Sequence, residues 1–556
     1  MGIQRLQTLD YIVFLVYFCI VAGYGYWIYH RKKSKEASTT DFFLAEGSLT
    51  WWAIGASLIA SNISAEQFIG MSGSGFKMGL AISTYEWMAA ATLMIVAIFF
   101  MPIYLKNRIF TMPQFLTKRY NETVSMIMAI FWLLLYVIVN LTSILYLGAL
   151  AVSTISGLNF WMCMITLAIF AIIITLGGMK VIGYTDVIQV FFLIMGGLAT
   201  TYLALNLVSE HFGESGIVTG FNYMMRKAPE HFHMIFNESN PNYGDLPGLT
   251  ILIGGMWIVN LNYWGANQYI TQRALGADLP TARNGILFAA FLKLLMPIIV
   301  VFPGIAAMVL HQEGMFQQEM LTGGELNPDN AYPVLLNLLP VGLKGLSFAA
   351  LTAAIVASLA GKANSISTIY TLDIYKKYVN REASEQKQVN IGRYTVVVAM
   401  IVAVAISDSL GIDKKGGFQF IQEYTGFVSP GIFAVFLLGF FWKKANSKGA
   451  LASIIGGFIL SVAFKFLPAW GVDLSFLSDA GFAVINQESG LYEIPFLDRM
   501  GFVFIICVLF IIALADKQNS PKGLELDADM FRPHPGFTVG AIIVFGVIVA
   551  LYTIFW

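Results

Sequence analysis

The stretch WWAIGASLIASNISAEQFIGMSGSG, residues 51–75, is long enough to cross a bilayer, yet it carries Asn62, Ser64, Glu66 and Gln67 near its middle. Inside hydrocarbon a polar side chain is tolerated only where it faces protein, ligand or water. A single Ser or Asn would be ordinary glue between helices. A cluster that includes a carboxylate points instead to a binding or transport site. Gly70, Gly73 and Gly75 follow, and they predict an interrupted helix, loosened at its far end, rather than a plain anchor.

The rest of the chain reads the same way. Of 556 residues, 57% are hydrophobic and 12% charged, and the mean hydropathy is +0.71. That composition describes an all-α membrane protein of many crossings. Fourteen apolar stretches stand out, at about 11–29, 51–75, 78–104, 122–152, 160–178, 183–207, 249–270, 284–310, 345–372, 391–410, 417–442, 449–467, 500–515 and 537–556. The basic runs at 31–35, 106–108, 118–119, 376–381 and 443–448 all fall on one side of the alternating crossings, and about 22 of the 33 Lys and Arg lie on that side. The positive-inside rule then places both termini outside the cytoplasm, along with the long loops 208–248 and 311–344, in a multi-pass cell (plasma or inner) membrane protein.

Several functions are disfavoured. Only Arg5 precedes the first apolar run, so that segment is expected to stay as a membrane helix rather than be cleaved. Cys19, Cys163 and Cys507 lie in apolar stretches and suggest neither disulfides nor a metal site, and the six His residues sit at ends or in loops. No phosphate-binding loop, catalytic triad or metalloprotease pattern is visible. An enzyme, an organic cofactor, a nucleic-acid partner and an obligate protein partner are therefore not expected; the expected partners are the bilayer, a small solute and a coupling ion.

Further polar islands identify the helices that meet: Tyr85 and Glu86; Asn140 and Thr142; Asp186 and Gln189 at the start of crossing six; Asn260, Asn262, Tyr263, Trp264, Asn267 and Gln268. Lys293 interrupts crossing eight, Ser358, Lys362 and Asn364 crossing nine, and Gln419, Gln422 and Glu423 crossing eleven. Crossings two and seven, five apart, are both polar and rich in glycine. This is the pattern of an inverted repeat of two five-helix units, whose broken first helices frame a midplane site. One transporter domain, 1–556, is expected, with an extra helix at 11–29, repeats at 51–207 and 249–442, and extra helices in 449–556.

Gln67, Glu86, Asn260, Lys293 and Gln422 mix amides with balanced charge, which suits the hydroxyls of a neutral polyol; Tyr85, Tyr263 and Phe418 offer faces for a ring. Lys293 is expected to be balanced by Glu86.

The blocks from TTDFFLAEGSLTWW (39–52) through ISTYEWMAAATL (82–93), NYWGANQYITQR (262–273), FAAFLKLL (288–295) and FQFIQEYTGFVSPG (418–431) resemble the sodium/solute symporter family, more narrowly its bacterial sodium/galactose and sodium/glucose cotransporter branch. The resemblance implies a leucine-transporter-type fold of 14 transmembrane helices working by alternating access. It implies sugar contacts at Gln67, Glu86, Asn260, Lys293 and Gln422, with Asn62 nearby. Met71, Tyr85 and Phe418 would form an outer lid, and Tyr263, backed by Trp264, the inner gate. Sodium (Na+) would be held by the carbonyls of Ala60, Ile63 and Ala354 and by Ser358, with Asp186 on its exit route.

Two departures stand out. Ala357 replaces one Ser of a family pair, which removes a sodium ligand. Ala89 replaces a sugar-contacting Ser. Lys362, one turn past Ser358, is also unusual at such depth. Water filling the vacant ligand position, with Lys362 snorkelling toward the cytoplasm, is the preferred expectation; the alternative is that the ammonium reaches back and partly replaces the ion. The reading is sodium-coupled hexose symport, galactose or glucose. Its alternatives are sodium-independent or differently coupled sugar transport, or a sugar sensor or leak channel on the same fold. Tyr263→Phe is expected to be mild, since a stacking gate needs the ring.

Overall fold

A computed structural model describes residues 6–31, 49–109, 111–407, 417–486 and 489–556. The described chain is mostly helical; the only strands among the described residues form two short antiparallel hairpins, Leu321–Leu326 and Val484–Glu493. Among the described residues, ten helical runs are long and apolar enough to cross a membrane, or eleven with the pair Gly417–Gly426 and Ser429–Phe441, bent by 53°. Phe160–Thr175 is apolar but shorter. The run Glu66–Lys106 has 41 residues, about twice what one crossing needs, and Gly79 at φ 72° turns the chain inside it.

The elements that build the site are α1 (Thr8–Arg31), α2 (Trp51–Asn62), α3 (Ser72–Met78), α4 (Thr84–Ile95), α5 (Gly178–His211), α6 (Gly255–Gly265), α7 (Gln268–Leu275), α8 (Leu279–Gln312), α9 (Leu343–Thr368) and α10 (Gly417–Gly426). The helix α5 starts earlier than its apolar stretch, so Asp186 and Gln189 stand two turns inside it rather than at its start.

The interruption in 51–75 is real but lies elsewhere than the glycines suggest. Helix α2 stops at Asn62, and Ile63 is extended (φ −79°, ψ 113°). Ser64 and Gln67 then restart the chain as a capping box does: Ser64 Oγ accepts from the Glu66 N–H (3.2 Å), and Gln67 Oε1 accepts from the Ser64 N–H (3.0 Å). A wide π-helical turn, Glu66–Met71, leads into α3. Gly70, Gly73 and Gly75 are helical and serve close packing. A Cβ on them would come within 2.8 Å of the Phe418 nitrogen, 2.2 Å of Asp329 Oδ1 and 2.9 Å of the Val301 carbonyl, respectively.

The second break separates α6 from α7 at Ala266 and Asn267, the latter extended (φ −100°, ψ 122°). Buried phenols satisfy its freed backbone. Tyr104 Oη donates to the Gly265 carbonyl (2.5 Å), while Tyr136 Oη accepts from the Gln268 N–H (3.1 Å) and donates to Asn267 Oδ1.

Helix α8 runs alongside the broken span as a splint. A Cβ on Gly55 would meet the Gly285 carbonyl at 2.6 Å, and one on Gly304 would meet the Ser72 carbonyl at 2.1 Å. Between these contacts α8 carries Lys293, which is thereby set opposite the break. Helix α9 follows the same span from another side: Ser358 Oγ donates to the Ser61 carbonyl (3.2 Å), and Lys362 reaches Glu66.

Candidate functional site

Lys293 is 1% exposed and sits at the centre of the site. Its ammonium donates to Glu86 Oε2 of α4 at 2.5 Å and to Asn62 Oδ1 at the end of α2, and lies 5.2 Å from the centre of the Trp264 ring. The expected balance with Glu86 is thus an ion pair, with side chains 1% and 3% exposed. Pairing is what makes both charges tolerable at that depth. Asn62 Nδ2 in turn donates to Tyr263 Oη (2.9 Å), and the same oxygen accepts from Tyr269 Oη. With both its lone pairs used, the Tyr263 hydroxyl keeps its own proton for a ligand.

The other expected contacts surround this pair. Gln67 is 3% exposed and uses Oε1 on the Ser64 N–H, so its amide nitrogen is the group left for a ligand. Asn260, one turn before Tyr263 on α6, donates to the Met256 carbonyl (3.1 Å) and keeps its oxygen. Gln422 is partly exposed on α10. Its neighbour Glu423 turns away to Lys465 (2.6 Å) and Arg499 (3.0 Å) and takes no part.

On one side Tyr85 meets Phe418 edge to face, with centroids 4.9 Å apart at 86°, and Met71 is fully buried beside them on the π turn. The Tyr85 hydroxyl is buried with no hydrogen-bond partner. On the other side Tyr263 stands edge-on to Trp264 (5.1 Å, 75°) and to Tyr269 (5.7 Å, 85°).

Of the expected sodium donors, Ala60 and Ile63 lie at the first break. The N–H that would close a helical turn on the Ala60 carbonyl is that of Ser64, and Gln67 holds it. The one that would close on Ile63 is that of Gln67, and it bonds the Ser64 carbonyl (3.2 Å). Ala354 and Ser358 lie one turn apart on α9, and Ser358 touches Ser61. Asp186 is buried behind them, accepting from Ser57 Oγ (2.6 Å) and paired with Arg273 at 3.5 Å. Ala357 is buried (2% exposed) and adds no oxygen.

Lys362 contradicts the snorkelling expectation. It is 1% exposed, its ammonium lies 3.3 Å from Glu66 Oε1 and 4.6 Å from the centre of the Tyr269 ring. A carboxylate at the break offers a buried ammonium more than a long reach to solvent does.

A sodium:solute symporter family model matches residues 42–457. The chain belongs to the sodium:solute symporter family. A sodium/glucose cotransporter of Vibrio parahaemolyticus is 45% identical to this symporter over 99% of both chains. The human sodium/myo-inositol cotransporter 2 is 33% identical, over 83% of this chain and 70% of its own length. A solved structure of a Na+-coupled sialic acid symporter, captured substrate-bound and outward-open, shares the fold with TM-score 0.74 at 20% identity, over 92% of this chain and all of the other. The symporter is thus a multi-pass membrane transporter and not an enzyme.

Residue-type reasoning passed over Tyr269, Arg273 and the role of Glu66. A signal existed for the last. Lys362 at membrane depth demanded an acid, and Glu66 was the carboxylate of the broken span with no assigned partner.

Proposed function

We propose that this symporter carries a neutral hexose, galactose or glucose, into the cell together with sodium by alternating access. The observation that carries the reading is Lys293. A buried ammonium held by Glu86 and Asn62, opposite a helix break and beside the Trp264 ring, is a polar lining for a ligand that is both donor and acceptor. The sodium/glucose cotransporter similar over nearly the whole chain supports both the sugar and the ion.

In this account Gln67, Glu86, Asn260, Lys293 and Gln422, with Asn62, bind the sugar hydroxyls. Tyr85, Met71 and Phe418 close above it, and Tyr263, backed by Trp264, closes below. Sodium is taken by the carbonyls of Ala60, Ile63 and Ala354 and by the Ser358 hydroxyl, and leaves past Asp186. Because Asn62 belongs to the broken helix and bonds both Lys293 and Tyr263, ion occupancy at the break sets the position of sugar ligand and inner gate together. The frame is an inverted repeat, 51–207 and 249–442, within fourteen crossings of the cell membrane, both termini outside, with an added helix at 11–29 and others in 449–556.

Uptake of labelled sugars by the purified protein in proteoliposomes tests the substrate. Galactose and glucose are expected to be taken up and to compete, and a charged sugar acid to be ignored. Selective uptake of the acid would contradict the reading. Sodium-independent sugar movement is the second reading, favoured by the ammonium of Lys362 beside the ion's expected ligands.

A further inference from the structure

Lys362 is a buried charge at the break for which the sugar contacts have no use. It shares a face of α9 with Ser358, the two side chains being one turn apart and their Cβ atoms about 5–6 Å from each other. Ser358 bonds Ser61 before the break, and Lys362 bonds Glu66 just after it. The ammonium and the expected ion are therefore neighbours on the same interrupted segment, and Glu66 is the carboxylate placed to balance either. With Lys362 present, the pair is already neutral. A sodium ion then enters a locus whose countercharge is taken.

The ammonium is also fixed from its other side. It lies over the ring of Tyr269, whose hydroxyl bonds Tyr263, which bonds Asn62, which bonds Lys293. The cation locus and the sugar pair are thus joined by one chain of contacts across both helix breaks. Ala357 adds to the effect, since it leaves the Ser358 hydroxyl as the one this turn of α9 offers the ion, with a tethered positive charge at Lys362 one turn on.

We propose that Lys362 is a built-in cation that competes with sodium for Glu66, so that it sets how strongly sugar transport depends on sodium in this chain. The proposal rests on the symport reading and adds to it the residue that tunes coupling. It requires a low apparent sodium affinity in the wild type. Removal of the ammonium frees Glu66 for the ion, whereas removal of the carboxylate leaves the ammonium to repel it.

The test is the sodium titration of sugar uptake by the full chain in proteoliposomes, paralleled by sodium-induced thermal stabilisation of the purified protein. Lys362→Met removes charge and hydrogen bond, and Lys362→Gln keeps a donor for Glu66 and so preserves packing. Both are expected to lower the sodium half-saturation at least tenfold, and Glu66→Gln to raise it by a similar factor. A half-saturation within twofold of the wild type in both Lys362 variants would overturn the proposal. So would failure of both to fold, because the pair would then be a strut. Absence of sodium-driven uptake in the wild type counts against symport instead, and the stabilisation titration still reads the role of Lys362.

Discussion

The phenol of Tyr269 donates its hydrogen bond to the phenol of Tyr263, and these two rings lie on opposite sides of the break between α6 and α7. The contact extends from Lys293 and Asn62 at the proposed sugar site to Lys362 and Glu66 at the expected ion locus. Tyr263, the proposed inner gate, is therefore held by its hydroxyl as well as by its ring. Tyr263→Phe, mild on the stacking argument alone, deprives both Asn62 and Tyr269 of their acceptor. An unsatisfied buried donor costs about 1–3 kcal/mol. The variant is expected to lose roughly tenfold or more in transport rate while sugar binding changes less. Wild-type transport would show that the ring suffices.

Gln422 and Lys293 separate binding from stability. Gln422 is partly exposed and engages no protein group among the described contacts, so Gln422→Ala is expected to weaken sugar binding about tenfold with an unchanged melting temperature. Lys293→Ala removes the partner of buried Glu86. Breaking such a pair costs about 3–5 kcal/mol, so this variant loses both sugar binding and thermal stability. Equilibrium sugar binding and melting curves on the same preparations distinguish the two.

Asp10 caps a helix far along the chain. Its carboxylate, fully buried on α1, accepts from the N–H groups of Gly342 (2.7 Å) and Gly345 (3.0 Å) at the start of α9. Capping of this kind is worth about 0.5–2 kcal/mol, and Asp10→Ala is expected to lower stability by that amount. Thermal melts check it; an unchanged melting temperature would show the cap to be dispensable.

Asp329 lies outside the spanning helices, in the turn Pro328–Asn330, where it accepts from the Gly417 N–H at the start of α10 (3.0 Å) and packs against Gly73. Burial raises its carboxyl to about 7, against the smaller opposing effect of that N–H. The folded chain thus binds this proton more tightly than the unfolded chain, whose Asp titrates near about 3.9. The stabilisation is complete below that value and is lost as pH rises through about 7. Asp329→Asn keeps an acceptor but does not titrate. Its melting temperature is expected to fall less than the wild type's between pH 5 and pH 8, and parallel profiles would remove Asp329 from the account.

Much of this was legible from residue types. Glu86 was matched to Lys293 because two opposite charges at membrane depth need each other, and the polar cluster at 62–67 marked a broken helix because hydrocarbon tolerates it nowhere else. The position of the break is not where the glycines point. Gly70, Gly73 and Gly75 look like helix breakers, yet they are contact points where Phe418, Asp329 and Val301 come too close for a side chain. The break was written instead in Ser64 and Gln67, whose capping-box spacing restarts the helix. Residue type alone points Lys362 toward solvent, because a long side chain can reach it. Its true partner follows from the packing of α9 on the break, which no local pattern encodes. The cap on α9 by Asp10, over 330 residues away in sequence, is illegible for the same reason.

The central claim is that a sodium gradient drives sugar uphill through this protein. A gradient of one tenfold step supplies about 1.4 kcal/mol per ion, and 100 mV adds about 2.3 kcal/mol per charge. The direct measurement is the internal concentration of labelled galactose or glucose in proteoliposomes given an inward sodium gradient and an inside-negative potential. The account predicts accumulation above the external concentration that collapses when a sodium ionophore dissipates the gradient. Equal uptake with choline in place of sodium, reaching only the external concentration, would contradict it.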